Sequence, residues 1–388
     1  MKKIIIVNNN MHLGGVQKAL YNLLWSIHDR YDVTLYLFSG TGAYMENLPP
    51  DVKVETCSSL FRYLGISQGE CSGADRLKRG VLAALTRVFG RDAVMKILLA
   101  SQKKLPEYYD CAISYLHNGR ASNFYGGVAD FVLHRIDADR KAAFLHCDYR
   151  NNGSDHKGNN RTMAGFDVIA ACSDGCRSAF ESVLPQLGER TVTVRNCHRF
   201  EEIRALSEME TVRYESGTPN VLMVTRLAHE KGVERAMEAC AHCCSQGMPF
   251  TLQLVGGGPM EKVLRRRAGE LGIENRVVFH GDQPNPYRFM KHADLLLITS
   301  FHEAAPMVIE EARCLGLPVL TTQTTSSQEM VLDSGSGWVC ENNQSAINTC
   351  LFAVLSDRQA LEQLKKTLGD TAMDNRAAIA QFLDLIER

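Results

Sequence analysis

Two carboxylates, Glu303 and Glu311, stand eight residues apart in the stretch 300–322, SFHEAAPMVIEEARCLGLPVLTT. A carboxylate accepts several hydrogen bonds at once, which suits the hydroxyls of a sugar or a ribose. Upstream, Arg226 and Lys231 bracket the run RLAHEKG. Two such cations can neutralise a diphosphate, arginine through its fork and lysine as a point charge. Gly14-Gly15 and Gly256-Gly257-Gly258-Pro259 each stand before a helix-like segment, where bare backbone can approach a phosphate closely. His117 and His146 each follow a strand-like apolar run, 111–116 and 142–145, and Asp148 lies just beyond the second. Plainer readings sit beside these: Glu310 and Glu311 as solvated helix residues, with Glu310 pairing Arg313 at i, i+3, the cations on open surface, the glycines as mere turns, and the histidines in a satisfied core.

The elements that must position these residues follow from apolar periodicity. Residues 294–299 read as a buried parallel strand, Pro306 falls in the first turn of a helix, Gly316 ends that helix, Pro318 prevents its restart, and 319–320 form a second strand. Ala304, Ala305, Pro306, Met307 and Val308 then present a helix start to whatever binds at the strand ends. The same strand-loop-helix cycle recurs along the chain: strands at 3–8, 33–38, 168–171, 192–194, 221–225, 250–255 and 277–279, with helices at 16–27, 233–244 and 287–292. Residues 344–370 and 372–388 read as two final helices. The class is α/β with doubly wound sheets. At 388 residues two domains are expected, 1–200 and 201–370, with 371–388 as a terminal helix. The polar stretch 201–218 reads as the connector, and the polar loop 151–160 as a mobile substrate loop.

Bulk properties narrow the class. The formal net charge of −1 gives no argument for nucleic acid. The start MKKIIIVNNN has too short an apolar run for a signal peptide, and no segment is long enough to span a bilayer, so a cytoplasmic protein is expected. The thirteen cysteines form no disulfide framework or paired metal-ligand spacing and read as buried thiols. Residues 76–104 are an exception to the neutral balance, with eight basic residues against the single acid Asp92. Leu77, Val81, Leu85 and Val88 share one helical face there. Such a segment can lie on an anionic membrane surface, or pack its apolar face on the core with its charges in water.

Taken in order, Gly14-Gly15, Arg226 with Lys231-Gly232, Gly256-Gly257-Gly258-Pro259, Phe279-x-Gly281, Glu303 with Glu311-Ala312, and Gly316-x-Pro318-Val319 resemble the retaining glycosyltransferases of family 4. The resemblance implies a GT-B fold, two Rossmann-like domains facing a central cleft, with the last helix returning to the N-terminal, acceptor-side domain. It implies that Glu303 contacts the donor sugar, that Glu311 contacts the ribose, and that Arg226 and Lys231, aided by Gly15 backbone, hold the diphosphate. His117 and His146 match strand-end histidines near sugar and acceptor. The chain departs from the family in having Ala304 where a glycine usually follows the first glutamate. The implied reaction is transfer of a sugar from a nucleotide diphosphate, UDP foremost, to a hydroxyl of a carbohydrate or lipid-linked acceptor, with retained configuration and neither metal nor cofactor. The competing readings are a catalytically silent nucleotide-sugar-binding partner and a nicotinamide-dependent oxidoreductase. The latter lacks the full glycine fingerprint.

Overall fold

A computed structural model describes residues 1–66, 69–214 and 217–387. Glu215 and Ser216 of the expected connector, and Arg388 of the expected last helix, lie outside the described residues. The chain divides into two compact units, one made of Met1–Cys197 with Asn375–Arg388, the other of His198–Asp374.

The first unit carries a seven-stranded sheet of β1 (Lys3–Asn8), β2 (Asp32–Leu37), β3 (Lys53–Thr56), β4 (Tyr108–Ser114), β5 (Asp137–Leu145), β6 (Val168–Ala171) and β7 (Thr191–Thr193), in the order β3-β2-β1-β4-β5-β6-β7. Every pairing is parallel. The second unit carries β8 (Asn220–Val224), β9 (Thr251–Val255), β10 (Val277–Gly281), β11 (Leu295–Ile298), β12 (Val319–Thr322) and β13 (Gly337–Cys340), in the order β10-β9-β8-β11-β12-β13 and again all parallel. Parallel strands need crossovers, and helices cover both faces of each sheet, so the central strands are apolar without interruption. In β11, Leu295 and Leu297 enter one core while Leu296 and Ile298 enter the core on the opposite face.

Four sequence expectations change. Residues 201–218 are not a free connector: Phe200–Glu208 is a helix whose Phe200 and Ile203 are buried with Tyr287, Phe289, Ile309 and Ala312, because its apolar residues recur at helical spacing. Residues 151–160 are not an open loop either. The helix Lys157–Met163 begins within them, and buried Asn159 bonds Tyr149 Oη and the carbonyl of Ser154 at 2.9 Å each. The helix expected over 344–370 breaks at Asp357, whose side chain caps the second segment, Arg358–Gly369, by accepting from the N–H of Ala360.

The fourth concerns 76–104, which forms the helices Gly73–Phe89 and Arg91–Ala100, broken at Gly90. Leu82 and Thr86 of the first helix are buried, and Leu85 is half-buried. Leu77 and Val88, by contrast, are 71% and 73% exposed, and Val81 is exposed as well. Three residues of the apolar face marked by the sequence, Leu77, Val81 and Val88, therefore look outward, while Leu85 packs against the core. Among the described residues no helix is long and apolar enough to cross a membrane.

Candidate functional site

Each sheet reverses its strand order beside its first strand: β1 lies between β2 and β4, and β8 between β9 and β11. Crossovers leave to opposite faces at such a point, so the loops at the carboxyl ends of those two strands part and leave room for a ligand. In the second unit these are the loop after β8, carrying Arg226 and Lys231, and the loop after β11, carrying Glu303. The structure joins them. Lys231 Nζ donates to Glu303 Oε1 at 2.7 Å, and Ser300 Oγ donates to the same oxygen at 2.7 Å. Among the described residues, Glu303 Oε2 has no donor. The lysine side chain is 25% exposed and the glutamate 13%, so the pair is sheltered yet reachable.

Local backbone chemistry fixes this meeting. Gly232 ends the Lys231 turn at φ 63°, and a Cβ there would run into the carbonyl oxygen of Thr299. Only glycine adopts that conformation without strain and admits the other chain so closely. Thr299 Oγ1 donates to the Gly232 carbonyl at 2.8 Å, and the Phe301 N–H donates to the Glu230 carbonyl at 3.0 Å. Arg235 Nη1 reaches the Thr299 carbonyl at 3.1 Å and Asn342 Oδ1 at 2.6 Å, with its guanidinium 4.7 Å from the Phe301 ring centre. Neither Arg235 nor Asn342 carried a sequence signal, since one looks like a solvated helix charge and the other like a turn residue.

Arg226 occupies the outer end of the same loop, largely exposed and ion-paired with Glu230. The i, i+4 spacing of that pair was the available clue to it. The loop after β9 is fastened alongside: Leu227 N–H donates to the Gly257 carbonyl at 2.8 Å, and Gly257 N–H donates to Asp282 Oδ1 at 2.6 Å. Gly256, at φ 128°, lets this loop pass the Thr225 carbonyl, which a Cβ would strike. Gly256 and Gly257 thus lie beside the arginine loop.

Ala304 and Ala305 lead into the helix Met307–Cys314, before which Pro306 takes the cap position with extended backbone rather than a place inside the first turn. Met307 and Val308 open the helix. Gly316 follows its end at φ 71°. The two adjacent glutamates part company. Glu310 accepts from Arg313 Nη1 with both oxygens, at 2.7 and 2.8 Å, as a half-buried pair. Glu311 is only 3% exposed.

In the first unit the reversal point brings together the loop after β1, with exposed Gly14 and Gly15 opening the helix Gly15–Ile27, and the strand end after β4, with His117. A Cβ on Gly15 would meet nothing within 4 Å, so the space beside it is open. His117 and His146 are partly accessible, but His117 Nδ1 and His146 Nε2 are buried without a partner among the described residues. Burial holds His117 down to about 4. Burial, and then the neighbouring His117, hold His146 down to about 3. Both rings are therefore neutral at pH 7, able to donate from one nitrogen and accept at the other. Asp148 serves its own turn, accepting from the N–H groups of Arg150 and Asn151 at 3.1 Å. Asn118, next to His117, was not foreseen: its buried amide donates to Asn159 Oδ1 at 2.9 Å and accepts from Gly127 N–H at 2.8 Å, which fixes the strand end.

Residues 208–368 match the family model described as "Glycosyl transferases group 1". The amylovoran biosynthesis glycosyltransferase AmsK of Erwinia amylovora is 26% identical over 180 residues, 43% of this chain and 44% of the relative. The chain spans less than half the length of the first curated relatives it matches. Among solved structures, HepE of Anabaena in complex with UDP and glucose superposes with a TM-score of 0.68 at 21% identity, over 99% of both chains. WaaG, a glycosyltransferase involved in lipopolysaccharide biosynthesis, gives 0.64 at 18% over 99% of both. These likenesses show the fold: GT-B, built of two Rossmann-like parallel-sheet units.

Proposed function

We propose that this chain is a cytoplasmic glycosyltransferase that moves a sugar from a nucleotide diphosphate, UDP foremost, to a hydroxyl of a carbohydrate or lipid-linked acceptor, with retained anomeric configuration. The observation that carries the reading is the Lys231–Glu303–Ser300 cluster at the β8/β11 reversal point, within the stretch that matches the glycosyl transferases group 1 model. The HepE structure, solved with UDP and glucose, supports the choice of donor class.

Each residue role in this reading is one that the geometry supports. Glu303 keeps Oε1 on Lys231 and Ser300 and turns Oε2 to the hydroxyls of the donor sugar. Lys231 and Arg226 oppose the charge that grows on the β-phosphate as the anomeric C–O bond breaks, which is work a divalent ion would otherwise do. No metal or cofactor is required. Gly256 and Gly257 and the start of the helix Met307–Cys314, from Ala304 through Val308, present backbone to the phosphates and nucleoside, and Glu311 receives the ribose hydroxyls. Gly14 and Gly15 present backbone likewise. His117, neutral at pH 7, hydrogen-bonds a sugar hydroxyl, and His146 and Asp148 serve the acceptor side.

The acceptor oxygen bonds to the anomeric carbon on the face the phosphate leaves, and its proton passes to the departing phosphate oxygen. Incubation with several nucleotide sugars and a panel of acceptors is expected to release free nucleoside diphosphate, UDP foremost. Anomeric proton NMR of the product is expected to show the donor's configuration; inversion overturns the mechanism.

A further inference from the structure

The helix Gly73–Phe89 turns its apolar residues the wrong way for a core helix. At about 100° per residue, Leu77, Val81, Ala84 and Val88 fall in one stripe roughly 60° wide, while Leu82 and Thr86, which do face the core, lie on the opposite side. Phe89, also exposed, stands roughly a third of a turn from that stripe, on the side of Lys78. An outward ridge of three large apolar side chains, Leu77, Val81 and Val88, is unusual on a water-facing surface.

Cations flank the ridge. Lys78 lies roughly a quarter-turn to one side, and Arg76 and Arg87 lie roughly a quarter-turn to the other. On the arginine side opens a groove of about 440 Å³, lined by Arg76, Arg79, Arg87, Asn123, Phe124 and Tyr125 among others, with no carboxylate in its lining. Arg79 is fixed there by its Nε–H bond to the Ile66 carbonyl at 3.0 Å and by its position 6.0 Å from the Phe124 ring centre. Arg76 and Arg87 have no ion-pair partner among the described residues. Three guanidinium groups converging without a carboxylate fit a phosphate, and a hydrophobic ridge beside them fits acyl chains. An anionic lipid at a bilayer surface offers both side by side, phosphate in the groove and hydrocarbon against the ridge.

We propose that the helix Gly73–Phe89 docks the protein on an anionic bilayer, with Arg76, Arg79 and Arg87 holding a lipid phosphate. The corollary, that the acceptor is lipid-borne, rests on the transfer reading above; the docking does not. The test is co-sedimentation of the full chain with vesicles of phosphatidylcholine alone and of phosphatidylcholine with an equal part of phosphatidylglycerol. Binding is expected only to the second, and it is expected to fall with added salt. Arg76→Gln with Arg87→Gln should weaken it roughly thirtyfold, at about fivefold per cation near the surface. Leu77→Ser with Val88→Ser should weaken it at least about tenfold, and both pairs, being exposed, should leave the circular dichroism spectrum and melting temperature unchanged.

The proposal fails if the wild-type chain binds neither vesicle, or if the arginine pair binds phosphatidylglycerol vesicles as tightly as wild type. It fails also if inorganic pyrophosphate binds in an Arg76- and Arg87-dependent way while vesicles do not, which would give the groove to a soluble phosphate. A dimer in sedimentation velocity that Leu77→Ser dissociates, with no vesicle binding, would give the ridge to a second copy. A wild-type chain that binds neither vesicle yet still releases UDP with a soluble acceptor would sink the docking and leave the transfer reading standing.

Discussion

Glu303 gives one oxygen to Lys231 and Ser300, and in the proposed reaction the other faces the donor sugar, a division that sets what its neighbours do. Lys231 both orients the carboxylate and supplies positive charge, so Lys231→Ala should lower kcat by about two to three orders of magnitude with little change in KM, the mark of a contact felt in the transition state. Steady-state release of nucleoside diphosphate would show it. Glu311, buried next to the half-buried Glu310–Arg313 pair, is expected to act on affinity instead. Glu311→Gln is expected to weaken UDP binding by about 1.5 to 3 kcal/mol in titration calorimetry, the range for a hydrogen bond to a charged group. The two histidines of the first unit make a pH prediction. Each has a native pKa below its unfolded value of 6.5, so the unfolded chain binds the extra protons first as pH falls. Stability should be level above about pH 6.5 and decline from there to about pH 4 and below, and the double variant His117→Gln, His146→Gln should flatten the fall in melting temperature over that window. The residues of the site were visible in the sequence as types at spacings. Their partners Arg235 and Asn342 were not, because a hydrogen bond between residues 64 or 107 positions apart leaves no periodic trace, and Ser300, only three positions from Glu303, belongs to no motif of its own.

Elements were legible where burial is two-sided. β1, β2, β8, β9 and β11 announce themselves as apolar runs because both faces of each strand are covered. β3, with the sequence KVET, escapes notice because it is an edge strand exposed along most of its length, so nothing selects an apolar run. β13 opens on Gly337, a residue that reads as a turn, yet a side chain there would strike the Val319 backbone of its partner strand. The same close approach makes Gly232 the weak point of the site's scaffold. Gly232→Ala should cost about 1 to 3 kcal/mol in urea denaturation, from a left-handed backbone and from the clash with Thr299. The helix Arg91–Ala100 is tied to the helix Val128–Arg135 by a buried ion pair, Arg91 with Asp130. Since removing one member strands the other's charge, Asp130→Ala is expected to destabilise by about 3 to 5 kcal/mol, more than the surface pair Lys104–Asp137 could cost.

At the scale of the molecule, the alternation of strand and helix already implied two doubly wound units. The helix Phe200–Glu208 was hidden by its charge, which reads as connector until Phe200 and Ile203 are seen buried. The last helix, Arg376–Glu387, belongs to the first unit although the second unit's sequence separates them. Phe382 is fully buried with its ring 6.4 Å from Phe144, Gln381 accepts from the Arg195 N–H at 3.0 Å, and Lys2 Nζ donates to the Ile386 carbonyl at 3.3 Å. Phe382→Ala should therefore lower the stability of the first unit by about 3 to 5 kcal/mol. Trp25 reports that unit in a Trp338→Phe background, where its fluorescence transition is expected to move to lower urea.

That helix also orders events in time. The first sheet leaves the ribosome early, but the surface around Phe144 stays uncovered until residues 375–388 have been made, so the nascent chain carries an unfinished hydrophobic seam through the synthesis of the whole second unit. With Lys2 bonded to Ile386 in the same unit, a rearranged gene that links the last helix directly to β1 and opens elsewhere would let that unit close in one uninterrupted stretch.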